Sequence, residues 1–363
     1  DRRPVRPASL AAMVEGQSIL VCCGSGGVGK TTVAATLGME AARRGRRACV
    51  VTIDPAKRLA DALGLEGLGN TPGLVAGDWA GELWALMLDT PSTFDSLVRQ
   101  YATSEQQALS ILSNPVYRNI AGALSGTQEY MAMEKLYELD RDGRFDLIVV
   151  DTPPTRSALD FLDAPARLTR FLNNRIFKVL VLPTRSYLKT VSVATMALLR
   201  VVSKVVGAEV VSDAVAFFQA FEGMQEGFRR RATAVLGLLA GAGCSFVLVT
   251  APRREAVDEA GYFARRLADA GIGVDALVVN RLHPRFGAGP VPAGAGVFSQ
   301  NLAELRAVAE REEEHFAKLA REVAPAPVVR VPFLADDVHD VDGLGAIAAH
   351  LFVGEQPGSP RSN

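Results

Sequence analysis

Residues Gly24-Ser25-Gly26-Gly27-Val28-Gly29-Lys30-Thr31-Thr32 carry the pattern G-x-x-x-x-G-K-[ST]. Glycines at this spacing let successive backbone N–H groups turn onto a phosphate chain, and a helix opening at the lysine adds partial positive charge. Lys30 can then reach the β and γ phosphates, while the Thr31 hydroxyl can ligate Mg²⁺. Two carboxylates could complete phosphoryl-transfer chemistry. Asp151 ends the apolar run Leu147-Ile148-Val149-Val150, a position from which it can hold the metal shell through a water. Asp54 ends another, in Ile53-Asp54-Pro55, where it can orient or deprotonate an attacking water. Both also read as turn residues, in Asp151-Thr152-Pro153-Pro154 and in Asp54-Pro55.

These groups work together only if the chain delivers them to one edge. Apolar, β-branched runs recur at Ser18–Cys23, Ala48–Ile53, Leu83–Leu88, Leu147–Val150, Ser245–Val249, Ala276–Val279 and Val328–Val331, as in buried parallel strands. Thr31–Arg44 is helical by composition and stops at Gly45, giving a strand-helix-strand unit with a right-handed crossover. The fold class is α/β, a mainly parallel doubly wound sheet of a P-loop NTPase with an inserted helical subdomain. The boundaries are a flexible arm over 1–17, nucleotide-binding core over 18–91, 141–163 and 241–353, helical insertions over 92–140 and 164–240, and a disordered tail over 354–363. The Gly, Pro and Ala-rich stretch Pro284–Gln300 reads as a mobile loop.

Composition narrows the function. With 39 basic against 40 acidic residues in 363, the net charge of −1 argues against a nucleic-acid partner. No window approaches the roughly 20 uninterrupted apolar residues of a membrane span, and no secretory h-region follows the start, so a cytoplasmic location is expected. Cys22, Cys23, Cys49 and Cys244 fall in or beside strand-like runs and form no C-x-x-C, so core packing is the expectation and no zinc is expected.

Together, Gly24–Thr32, Asp54-Pro55-Ala56 and Asp151-Thr152-Pro153-Pro154-Thr155 resemble the arsenical pump-driving and guided-entry (tail-anchored protein targeting) ATPases. The segment Glu82–Asp89 is similar to the family's strand before its first helical insertion. Val278-Val279-Asn280-Arg281 resembles the strand end whose Asn reads adenine, and Val331-Pro332-Phe333-Leu334 the loop over the base. The resemblance implies ATP or ADP with Mg²⁺, bound between two subunits that close on ATP and reopen after hydrolysis. It makes Asp54 the activator of water in a first switch with Pro55, and Asp151–Thr155 a second switch.

One departure matters. Where the family carries a lysine that crosses to the partner's phosphates, this chain has Ser25, which brings no charge. Three outcomes follow: a lysine-bearing paralogue completes the site in a heterodimer rather than a homodimer, a nearby cation such as Lys57, Arg58 or Arg156 substitutes, or hydrolysis is slow. The first is the favoured expectation, and an actinobacterial paired paralogue fits the excess of 32 Arg over 7 Lys. A regulatory subunit that holds nucleotide with little turnover is the alternative.

The helical part is less informative. Leu188, Val191, Thr195, Leu198, Val202 and Val205 form one apolar stripe, and Phe217, Phe221, Met224, Phe228, Val235 and Leu239 a second. The two could line a groove for a hydrophobic client or pack on each other. Residues 164–208 hold eight basic and no acidic side chains, a surface for an anionic membrane or partner, or the solvated faces of amphipathic helices.

Overall fold

The computed structural model describes residues 7–54, 56–115, 117, 127–153, 225–287, 289 and 296–353. They fall into two compact units, one within residues 1–88, 136–159 and 237–363, the other within 89–135 and 160–236, where the sequence reading draws 92–140 and 164–240.

The first unit is built on an eight-stranded sheet. Its strands are β1 (Ile19–Gly24), β2 (Arg47–Thr52), β3 (Gly73–Val75), β4 (Glu82–Met87), β5 (Leu147–Asp151), β6 (Cys244–Thr250), β7 (Ala276–Leu282) and β8 (Val328–Pro332). Their order is β3-β4-β2-β5-β1-β6-β7-β8, all parallel except the edge strand β3, which runs antiparallel to β4. β1 and β5 are buried along their whole length because helices cover both faces, which is why they read as unbroken apolar runs. The seven runs read from sequence all become strands. β3 was not foreseen; its three residues leave Leu74 exposed and carry no run to detect.

Helix α1 (Leu10–Gly16) corrects the expectation of a flexible arm at 1–17. Ser9 caps it by accepting from the Ala12 N–H at 3.2 Å, and Leu10, Met13 and Val14, spaced on one face, are buried in the core. Helix α2 (Lys30–Arg43) follows β1 directly and is buried through most of its length. Helix α3 (Arg58–Ala62) is a single turn after β2. Within the expected core segment 141–163, β5 lies between β2 and β1.

In the second unit, helices α4 (Thr90–Tyr101) and α5 (Glu105–Leu112) start at Asp89 and Ser104, whose side chains accept from the Ser92 and Gln107 N–H groups. Phe94 stacks on Tyr117, whose hydroxyl donates to Asp95. Helices α6 (Thr127–Asp142) and α7 (Gln225–Leu239) begin in this unit. There the buried Glu134 is ion-paired with Arg231, and the Arg231 guanidinium lies 6.0 Å from the centre of the Tyr101 ring. Val235 is buried; the apolar stripe from Leu188, the residues Phe217, Phe221 and Met224, and the basic stretch 164–208 lie outside the described residues.

Two helices complete the first unit. Helix α8 (Arg254–Asp269) covers β6, and the long helix α9 (Val297–Glu322) precedes β8. The start of α9 corrects the reading of Pro284–Gln300 as one loop, since Val297–Gln300 are helical. Earlier in that stretch, residues 285–287 are fastened: the Arg306 guanidinium donates to the carbonyls of Arg285, Phe286 and Gly287, each at 3.1 Å. Helix α10 (Val341–Leu351), capped by Asp340, packs against α2. Among the described residues no helix is long and apolar enough to cross a membrane.

Candidate nucleotide-binding site

The turn from β1 into α2 is fixed by two glycines. Gly24, at φ +151°, passes so close to β6 that a Cβ would lie 2.0 Å from the Val249 carbonyl oxygen. Gly29, at φ +93°, caps α2, and a Cβ there would meet the Asn280 Nδ2 at 2.3 Å. Neither position admits a side chain, so the loop's path is dictated by the strands beside it. Gly26 and Gly27 stay exposed on its outer side, and Val28 is buried beneath.

Lys30 opens α2 with its ammonium turned back into the loop, donating to the Ser25 carbonyl at 2.8 Å. It is 7 % exposed. Burial holds its pKa below the ordinary lysine value, against the pull of Asp151, Cys23 and Asp54, with Arg58 adding a repelling charge. The Ser25 hydroxyl is buried and unpartnered.

Asp151 sits at the junction of three strands. It is in register with Cys22 of β1 on one side and Thr52 of β2 on the other. Its Oδ2 accepts from the Thr31 hydroxyl at 2.8 Å and from the Thr52 hydroxyl at 2.9 Å, while Oδ1 is buried with no partner. Burial lifts the carboxyl to about 6; the two hydroxyls and Lys30 oppose the shift, and Asp54 adds to it. A carboxylate so deeply placed with one bare oxygen, beside a threonine hydroxyl, suits a hard dication with oxygen ligands. Thr31 and Asp151 are thus the residues that would hold Mg²⁺. Thr152 continues from Asp151, its hydroxyl donating to the Cys22 carbonyl at 2.8 Å, and Pro153 is buried. Pro55, Pro154 and Thr155, the other expected switch residues, and Arg156 lie outside the described residues.

Asp54 follows the end of β2. Its carboxylate accepts from the Ala56 N–H at 3.0 Å and from the Arg58 guanidinium at 3.0 Å, and its own N–H donates to the Thr52 hydroxyl at 3.2 Å. It is the more accessible of the two acids, with its side chain 18 % exposed.

On the far side of the loop, Asn280 and Arg281 end β7. Asn280 donates from Nδ2 to the Val28 carbonyl at 2.9 Å, and Arg281, held at φ +64°, donates from its guanidinium to the Gly27 carbonyl at 2.9 Å. A cleft of about 260 Å³ opens beside them, lined by Gly29, Thr32, Asn280, Arg281, Pro332 and Phe333, with Asp336, Asp337 and His339 at its rim. Phe333 is exposed there. The loop, Asp54, Asp151 and this cleft lie along one edge of the sheet, where open α/β sheets bind ligands.

The cysteines lie beneath it as core residues. Cys22, Cys23 and Cys49 are buried and Cys244 partly so; burial pushes the Cys22, Cys23 and Cys244 thiols upward in pKa. Among the described residues, no three His, Cys, Asp or Glu side chains group as a metal site.

The family model for anion-transporting ATPases matches residues 17–353, nearly the whole chain. This protein belongs to the anion-transporting ATPase family. It is 30 % identical over 169 residues to ATPase GET3 of Malassezia globosa, covering 46 % of this chain and 49 % of that protein. ATPase get3 of Schizosaccharomyces japonicus is 29 % identical over 168 residues, with 46 % and 50 % covered. Putative arsenical pump-driving ATPase 1 of Aquifex aeolicus is 22 % identical over 358 residues, 93 % of this chain and 79 % of that one. The matched part therefore spans about half the length of the two fungal relatives.

In this member of the anion-transporting ATPase family, two participants escaped the sequence reading. Thr52 joins the acids, donating to Asp151 and accepting from the Asp54 N–H. In the sequence it is only a β-branched residue in a strand, and its role appears once β2 and β5 are in register. The acidic rim at Asp336 and Asp337 is likewise invisible without the approach of the β8 loop to Gly29.

Proposed function

We propose that this protein is a Mg²⁺-dependent ATPase that works as a dimer and couples ATP binding and hydrolysis to a partner or cargo. The observation that carries this reading is the trio of buried Lys30, buried Asp151 and half-buried Thr31, with the unpartnered Asp151 oxygen beside the Thr31 hydroxyl. Mg²⁺ held there would neutralise charge gathering on the β and γ phosphates. The amides of Gly24–Thr32 receive the phosphates, and Lys30 exchanges the Ser25 carbonyl for their oxygens. Asn280, Arg281, Pro332 and Phe333 bound the cleft that takes the base. Asp54, partly accessible just past the end of β2, accepts the proton of the attacking water. Its segment and Asp151–Thr155 are the two switches, ordered by phosphate and relaxed after it leaves.

The buried hydroxyl of Ser25 supplies no cation to a neighbouring subunit, which favours pairing with a paralogue that does. Cargo recognition is assigned to residues 164–240 on their apolar stripes and basic stretch, and the working compartment to the cytoplasm. ATP hydrolysis by the chain alone, and mixed with a lysine-bearing relative from the same genome, tests the pairing. Faster turnover in the mixture supports it. Equal rates contradict it, and single-turnover hydrolysis near zero in both would mark a regulatory nucleotide-holding subunit instead.

A further inference from the structure

Arg58 begins the short helix after β2, four residues beyond Asp54, and its guanidinium lies 3.0 Å from the Asp54 carboxylate. The pair is lopsided. Asp54 is 18 % exposed just past the end of β2, whereas Arg58 is 62 % exposed and reaches over from solvent. An i, i+4 ion pair with one partner mostly in solvent is weak and readily exchanged. Both partners lie within electrostatic reach of the Lys30 ammonium, Asp54 as an attracting charge and Arg58 as a repelling one, so the guanidinium already stands in the field of the cradle. The loop's own interior holds one cation, Lys30, and the hydroxyl at Ser25 is neutral and buried.

A phosphate chain entering this cradle would meet two consequences of that arrangement. Its terminal phosphate is repelled by the Asp54 carboxylate, and it offers the guanidinium a more highly charged acceptor than a single carboxylate does. We propose that Arg58 is the γ-phosphate sensor of this site: it leaves Asp54 for the terminal phosphate when ATP binds, and in leaving it frees the Asp54 carboxylate for the water. ADP, lacking that phosphate, leaves the Arg58–Asp54 pair closed. The same movement couples triphosphate recognition to exposure of the base, whichever subunit supplies the cation missing at Ser25. This rests on the proposal that the loop binds adenine nucleotides.

The test is calorimetric titration of the full chain with Mg²⁺-ADP and with a hydrolysis-resistant Mg²⁺-ATP analogue, for the wild type, Arg58→Gln and Asp54→Asn. Arg58→Gln should cut the preference for the triphosphate over ADP by about tenfold or more, as expected for loss of a charge-assisted contact, with ADP affinity within about twofold. Arg58→Lys should restore part of that preference. Asp54→Asn, which releases the guanidinium, should raise the preference a few-fold. An Arg58→Gln protein with the wild-type preference overturns the sensor, and an Asp54→Asn protein with unchanged or lowered preference overturns the exchange. If neither nucleotide binds the wild type, the nucleotide reading of the loop fails first and takes this one with it.

Discussion

Asp151 and Asp54 stand on neighbouring strand ends, share Thr52, and are treated in opposite ways. Asp151 is fully buried, takes two hydroxyl donors on one oxygen and is pushed up to about 6 by burial. Asp54 keeps contact with solvent and holds an arginine that solvent also holds. The β5 end is thus a fixed fitting whose discomfort a metal would relieve, because desolvation penalises the bare carboxylate. The β2 end is an exchangeable fitting. An edge that had to bind tightly and yet change state could divide those duties in this way between two acids at the ends of neighbouring strands.

The sharpest way to break this division is at the exchangeable acid. Asp54→Asn should slow hydrolysis by about 100- to 10,000-fold, the span ordinarily lost with a general base, while leaving ADP affinity within about twofold. Normal turnover in that variant, measured by phosphate release, would remove Asp54 from the chemistry. Next comes the cation beside the fixed acid. Lys30→Ala should weaken Mg²⁺-ADP binding by on the order of 100-fold, since it deletes a buried charged donor to phosphate.

The third prediction uses pH. The Asp151 carboxyl has a folded pKa of about 6, above its ordinary 3.8, so its ionisation opposes folding fully above pH 6 and hardly at all below about pH 4. Asp151→Asn should therefore stabilise the protein, without nucleotide or Mg²⁺, by about 2–3 kcal/mol at pH 7.5. The gain should shrink as the pH falls through 6, which urea denaturation at several pH values would follow. Thr52→Val is the smallest probe. It keeps a β-branched residue in β2 but removes the donor to Asp151 and the acceptor of the Asp54 N–H, at a cost of about 1–2 kcal/mol in chemical denaturation.

How much of this was readable beforehand depends on how local the signal is. Strands buried on both faces announce themselves as apolar runs, and β1, β2 and β5 were legible for that reason. The loop from Gly24 to Thr31 was legible because its function is written in contiguous residues. Helix α1 carried a signal that went unused, a Ser9 cap followed by Leu10, Met13 and Val14 on one face. β3 carried none, being an exposed edge of three residues. In the site, Asp54 and Asp151 were visible as strand-terminal acids, yet their different environments were not. Burial of Asp151 follows from β5 lying between β2 and β1, and the tie through Thr52 follows from register, which no single segment encodes. Arg58 stood among three candidate cations; its pairing with Asp54 set it apart.

The most direct measurement is the affinity of the full chain for Mg²⁺-ATP, under conditions too brief for turnover, compared with the same titration after Lys30→Ala. Saturable one-to-one uptake that largely vanishes with the lysine is the outcome required by a phosphate-binding loop at the end of β1. Absence of uptake by the unaltered chain at millimolar nucleotide, or undiminished uptake by the variant, would contradict it.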